Sequence, residues 1–268
     1  MAHGRTVRPS VVTSRGGSPL TFFVLVFALS IPFWLLYAWT RLQLTPTIPV
    51  SALMMFCPLM AASILVYRQS GITGLRVLLR RSFDYRRIRA RVWYAPILLF
   101  MPSALLLAYG LKRLTGIQPP IPHIEFVATA AMLLAFFFAA LAEELGWSGY
   151  AIDPLQSRWS ALGASLLVGA VWALWHVVAY LQTGADPVWL AWWCLFTVAS
   201  LVIMVWIYNN TGKSVFAMAL YHAMLNLSNS LVGNNGLHPY MTAPIVALAA
   251  IIVALVWGPR TLARYRST

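Results

Sequence analysis

Two adjacent carboxylates, Glu143 and Glu144, follow an apolar run from Phe126 to Leu141 in a chain of 268 residues that holds only six acidic side chains. A charged side chain at a bilayer centre costs roughly 2.5–3.5 kcal/mol on insertion scales, so an acid pair in such a run marks a functional site unless the helix has already reached the headgroups. Four further residues in apolar stretches share this interest. Trp172 and His176 stand four apart, as do His222 and Asn226, so each pair lies on one helix face. Carboxylates, imidazoles and a carboxamide are the groups of acid–base catalysis, and equally of an intramembrane proton relay.

Groups on different helices act together only if they meet at one depth. With the intervening turn near residues 153–162, Glu143 lies ~15 Å and His176 ~20 Å from it, and His222 and Asn226 lie ~13–20 Å beyond Lys213, at 1.5 Å per residue. The four then converge nearer the cytoplasm than the outer face, provided the fourth helix runs on to about Tyr150. His3, His123 and His238 fall in a tail or loops and are assigned no role.

The elements that must position these groups are membrane helices. The chain is 60% hydrophobic and 9% charged, against roughly 25% charged for a soluble domain. Apolar spans are expected at 20–39, 48–67, 92–111, 126–150, 161–181, 188–208, 214–232 and 242–258. The fold class is therefore an all-α integral membrane protein of eight transmembrane helices, multi-pass, and in the plasma membrane of the cell if prokaryotic. Residues 1–19 read as a disordered cytoplasmic tail and 20–268 as one eight-helix domain. With the N-terminus inside, sixteen Lys and Arg fall on the inner segments and Arg41, Lys112 and Arg113 on the outer ones. That bias places both termini in the cytoplasm.

The net charge of +13 does not imply a nucleic-acid partner, because the basic residues separate apolar runs and do not line one soluble face. Residues 68–91 mix arginines with Ile72, Leu75, Val77, Leu78 and Leu79, as a basic segment lying in anionic headgroups would. Cys57 and Cys194, both in apolar runs, make neither a disulfide framework nor a CxxC site. The lipid bilayer is the one partner that composition alone implies.

In this order, Glu143-Glu144, Trp172-x-x-x-His176 and His222-x-x-x-Asn226 resemble the motifs of the CAAX-protease and bacteriocin-processing (CPBP, or Abi) family of intramembrane endopeptidases, which includes the type II CAAX prenyl endopeptidases. The resemblance covers residues 126–230. It implies that Glu143 is the general base for a water that His176 helps to hold. It also implies that His222 and Asn226 stabilise the oxyanion, and that a peptide or protein, in some relatives lipidated, is cut in a cytoplasm-facing cavity.

The chain departs from the family at Ser148, where arginine usually stands four residues after the second acid. The resemblance leaves Glu144 either protonated or paired with another cation such as Arg158. Glu144, Ser148 and Trp172 are thus supporting residues. Glu143, His176 and His222 are also donor types for a zinc with an open position, and the spacing does not choose between zinc and a metal-free glutamate mechanism. Two other readings stand beside the protease: an inactive relative serving as immunity or scaffold protein, and a proton-coupled transporter.

Overall fold

The computed structural model describes residues 18–46, 48–116, 124–232 and 238–263. Its elements are α1 (Pro19–Thr40), α2 (Cys57–Arg80), α3 (Tyr94–Leu114), α4 (Phe126–Gly146), α5 (Ile152–Arg158), α6 (Ala161–Gln182), α7 (Pro187–Asn210), α8 (Val215–Val232) and α9 (Pro239–Trp257). The chain is an all-α membrane protein, as its composition requires. Among the described residues the one extended pairing is a short antiparallel ribbon, Gln43–Thr45 with Ile48–Pro49, between α1 and α2. Seven helical stretches are long and apolar enough to cross a membrane; α8, which carries His222, Asn226 and Asn229, is a helix at the expected place but is not one of the seven. Most of the N-terminal tail, through residue 17, and residues 117–123 of the proline-rich connection lie outside the described residues.

Several helices start where the sequence supplies a cap. Ser18 accepts from Thr21 N ahead of Pro19, Ser160 accepts from Gly163 N, and Asp186 accepts from Val188 N and Trp189 N at 2.9 and 3.0 Å ahead of Pro187. Each side chain satisfies backbone donors that a first helical turn leaves free. α8 is capped from far away: Asp84, 130 residues earlier, accepts from Ser214 Oγ at 2.8 Å and from Phe216 N at 3.1 Å.

α4 does not stop at the acid pair. It passes through a π-helical turn, Trp147–Ala151, into α5, giving one helical stretch from Phe126 to Arg158. The carboxylates are therefore well inside a long helical rod, and not at a helix end. α2 is also longer than the span expected at 48–67: a 3₁₀ segment Val50–Phe56 leads into it, and it breaks at Gly71 (φ 60°, ψ −157°) before continuing to Arg80.

Close helix crossings fix α4 in place. A Cβ on Gly146 would lie 2.6 Å from the Pro58 carbonyl oxygen of α2, so glycine is required where these helices touch. On the other side α4 packs along α8, and α6 packs along α7.

The bundle has two unlike ends. One gathers the arginine-bearing α2–α3 connection, the α5–α6 turn, Lys213 and the C-terminal segment, whose Pro259 and Arg260 carbonyls accept from Leu162 N and Ala161 N at 3.0 and 2.9 Å. The other holds the ribbon beside Arg41, the α6–α7 turn and the start of α9.

Candidate active site

Glu143, His176, His222 and Asn226, from α4, α6 and α8, line a single cavity of about 700 Å³. Side chains separated by up to 83 residues thus meet around one space. Glu143 and His222 are 6% and 2% exposed, and Glu144 is 1% exposed. Glu144, one residue on and turned by a helical step, does not line the cavity. The adjacent acids have separate surroundings, and each carboxylate is engaged.

Glu143 Oε2 accepts from the Trp172 indole Nε1 at 2.8 Å. Trp172 was expected as a supporting residue, and its N–H holds the carboxylate that faces the cavity. One turn on, His176 Nδ1 lies 3.0 Å from the Trp172 carbonyl oxygen. A carbonyl only accepts, so Nδ1 carries the hydrogen and the neutral ring keeps Nε2 as its acceptor. The ring is held edge-on by Trp172 and Trp175, with centroids at 5.5 and 4.6 Å, and lies tilted against Trp193 at 5.3 Å.

Glu144 supports from behind. Oε1 lies 3.1 Å from His222 Nδ1, and Oε2 accepts from the Ser148 hydroxyl. His222 is therefore the basic group paired with Glu144. The sequence offered Arg158 because charge alone, with no contact map, favours a permanent cation. Nδ1 is pinned by the carboxylate, so Nε2 is the His222 nitrogen free to act in the cavity it lines. Ser148 fills the departing motif position as a hydrogen-bond donor.

The π-helical turn after the acids has its own clamp, which the sequence did not reveal. The Arg81 guanidinium donates to Gly149 O, Tyr208 Oη and Lys213 O, each at 2.8 Å. Tyr208 Oη lies 3.2 Å from Ser148 O and 3.3 Å from Asp153 Oδ2, and Lys213 Nζ pairs with Asp153 Oδ1 at 2.9 Å. Gln69 adds a bond to Tyr150 Oη at 2.9 Å, and Phe22 packs edge-on to Trp147 at 5.3 Å. A π turn interrupts the regular i to i−4 ladder, and here Arg81 and Tyr208 satisfy two of its carbonyls. Within the basic segment 68–91, Arg81 and Asp84 thus reach inward, to the π turn and to the start of α8.

Among the described residues no three His, Cys, Asp or Glu side chains are grouped to hold a metal ion, the set Glu143, His176 and His222 included. One oxygen of Glu143 is already taken by the indole, and the donor set does not fit a zinc centre as it stands.

The cavity extends along a wall of Tyr180, Trp189, Trp193 and Phe196 to exposed Thr183. Pro49 and Pro239, also in its lining, stand at the ribbon end, away from the arginine-rich end.

Residues 125–228 match the family described as type II CAAX prenyl endopeptidase, Rce1-like. The matched segment carries all four cavity residues with Glu144, Ser148 and Trp172. That segment is similar to an Rce1-like domain. Over 240 residues the chain is also 24% identical to CAAX prenyl protease 2 of Methanococcus maripaludis, an alignment covering 83% of this chain and 88% of that protein. With its apolar helices, the chain is a multi-pass membrane protease that is similar to the CAAX prenyl endopeptidases and works on peptide or protein substrates in a membrane.

Proposed function

We propose that the protein hydrolyses a peptide bond inside the 700 Å³ cavity with a water activated by Glu143. The observation that carries this reading is the convergence of Glu143, His176, His222 and Asn226 from three helices on one wall. Glu143 takes the water proton while the Trp172 indole holds its carboxylate in register. The free Nε2 of His176 accepts a hydrogen bond from the same water and fixes its lone pair toward the scissile carbonyl. As the oxygen attacks, negative charge gathers on the carbonyl oxygen, and His222 Nε2 with the Asn226 amide supplies donors there. Glu144 favours the protonated form of His222 that this step needs. Glu143 then returns its proton to the leaving amine. A general base typically contributes 10²–10⁴-fold, and one oxyanion donor 10²–10³-fold.

The aromatic wall suits an apolar segment, peptide side chains or a lipid attached near the cleaved bond, so a lipidated C-terminus is a substrate this cavity can take. The relative's name ties that protein to prenylated CAAX sequences, and this chain is proposed to share the substrate class. Charge places the arginine-rich end in the cytoplasm, and the ribbon end that the cavity reaches then lies on the opposite side. Cytoplasmic C-terminal processing needs the inverse arrangement. Labelling Thr183→Cys in intact cells with a membrane-impermeant maleimide separates the two: reaction without lysis is expected from the charge rule, and protection until lysis supports the inverse.

Activity itself is tested by turnover of quenched fluorescent peptides, prenylated and unprenylated, with and without a chelator. Cleavage by the intact protein that disappears in Glu143→Ala and His222→Ala is expected. Equal cleavage by all three proteins would refute the assignment of these residues.

A further inference from the structure

A second cavity, of about 1380 Å³, lies at the arginine-rich end, between the α2–α3 connection and the ends of α7 and α9. It is separate from the catalytic cavity and shares no lining residue with it. One part of its wall is cationic, with Arg86, Arg87 and Arg89; the rest is aromatic, with Trp93, Trp206 and Trp257. The tryptophans pack edge to face, Trp93 to Trp206 at 5.0 Å and Trp206 to Trp257 at 5.2 Å. They stand at the ends of three helices, α3, α7 and α9, that are each apolar enough to span.

The charges here are not balanced from within. Asp84 is the one acid in the wall, and it is committed to the start of α8 and to Arg81 and Arg87. Arg87 also donates to Gly212 O at 3.1 Å. Among the described residues Arg86 lies over the Tyr85 ring, at 6.0 Å, with no hydrogen bond or ion pair, and Arg89 likewise has neither. The indole Nε1 of Trp206 is buried and without an acceptor. Two unpaired guanidiniums, an unpaired indole donor and an apolar wall make an amphipathic cavity at the level where membrane helices end. Guanidinium groups match phosphate oxygens in a bidentate fork, and tryptophan prefers the interface between headgroup and acyl chain.

We propose that this cavity binds the headgroup of an anionic phospholipid, with the phosphodiester on Arg86 and Arg89 and the first part of an acyl chain against the tryptophans. A lipid seated there touches the segment whose Asp84 caps α8, the helix that carries His222 and Asn226. The site belongs to the full chain in a membrane and does not depend on the proposed reaction.

The test is native mass spectrometry and thermal melting of the intact protein in detergent, titrated with phosphatidylglycerol, phosphatidylcholine of the same chains, or inorganic phosphate. Retained phosphatidylglycerol and a raised melting temperature are expected, with phosphatidylcholine weaker and phosphate alone without effect. Arg86→Gln with Arg89→Gln is expected to weaken phosphatidylglycerol binding about thirtyfold, at roughly the interfacial attraction of one arginine each, while Arg86→Lys with Arg89→Lys keeps most of it. Equal retention of both lipids, unchanged binding in the double glutamine variant, or an equal shift with phosphate alone would each overturn the proposal. If the double variant does not fold, the lipid comparison on the unaltered protein still decides.

Discussion

Replacing Glu144 by glutamine should separate its charge from its hydrogen bonds. In the native protein Oε1 meets His222 Nδ1 at 3.1 Å and Oε2 accepts from Ser148. The glutamine oxygen can keep the His222 contact, and its amide can donate to a Ser148 hydroxyl that has rotated to accept. Only the charge is lost. A hydrogen bond to a charged group contributes about 1.5–3 kcal/mol and a neutral one about 0.5–1.5, so His222 loses ~1–1.5 kcal/mol of support for its protonated form. That corresponds to about a tenfold fall in kcat, with KM unchanged because Glu144 does not face the cavity. Glu144→Ala goes further and strands both buried partners at about 1–3 kcal/mol each, so it should lower Tm as well as kcat. Steady-state cleavage and melting curves for the two variants provide the assay. Wild-type Tm and kcat in both would refute the support assigned to Glu144.

Arg81→Lys keeps a cation but cannot reach Gly149 O, Tyr208 Oη and Lys213 O together; a loss of about 1.5–3 kcal/mol in stability, the contribution of a hydrogen bond to a charged group, is expected, read as a lower Tm that Tyr208→Phe reproduces in part. Gly146→Ala must move the Pro58 backbone from 2.6 Å contact, and overpacking of this kind costs about 1–3 kcal/mol. Its Tm should fall while a control alanine at exposed Gly110, where nothing lies within 4 Å, leaves Tm unchanged or raises it.

Helix positions were legible because apolar runs bounded by caps leave few alternatives. The spans read at 161–181 and 188–208 appear as Ala161–Gln182 and Pro187–Asn210, opened by Ser160 and Asp186. The convergence of Glu143, His176, His222 and Asn226 was legible too, since helical rise fixes depth. What escaped was set by long-range contact. No pattern in Trp147–Ala151 announces a π turn, whose carbonyls are held by Arg81 and Tyr208 from other helices. Arginine-rich composition could not distinguish Arg81, turned inward, from Arg86 and Arg89 on the second cavity. The Trp172 indole and His222 partners of the two acids also lie on other helices, beyond the reach of residue spacing. The expected direction of the cavity rested on the family resemblance, and only the lining residues show that it reaches the ribbon end.

Glu143, and not its neighbour, is proposed to activate the water. The most direct test measures kcat for Glu143→Gln and Glu144→Gln side by side on one cleaved peptide, with Tm checked for both. Glutamine cannot accept the water proton, so a fall of about 10²–10⁴-fold is expected at position 143, against the tenfold fall at 144. A Glu143→Gln protein that is folded and cleaves at the native rate would contradict the account.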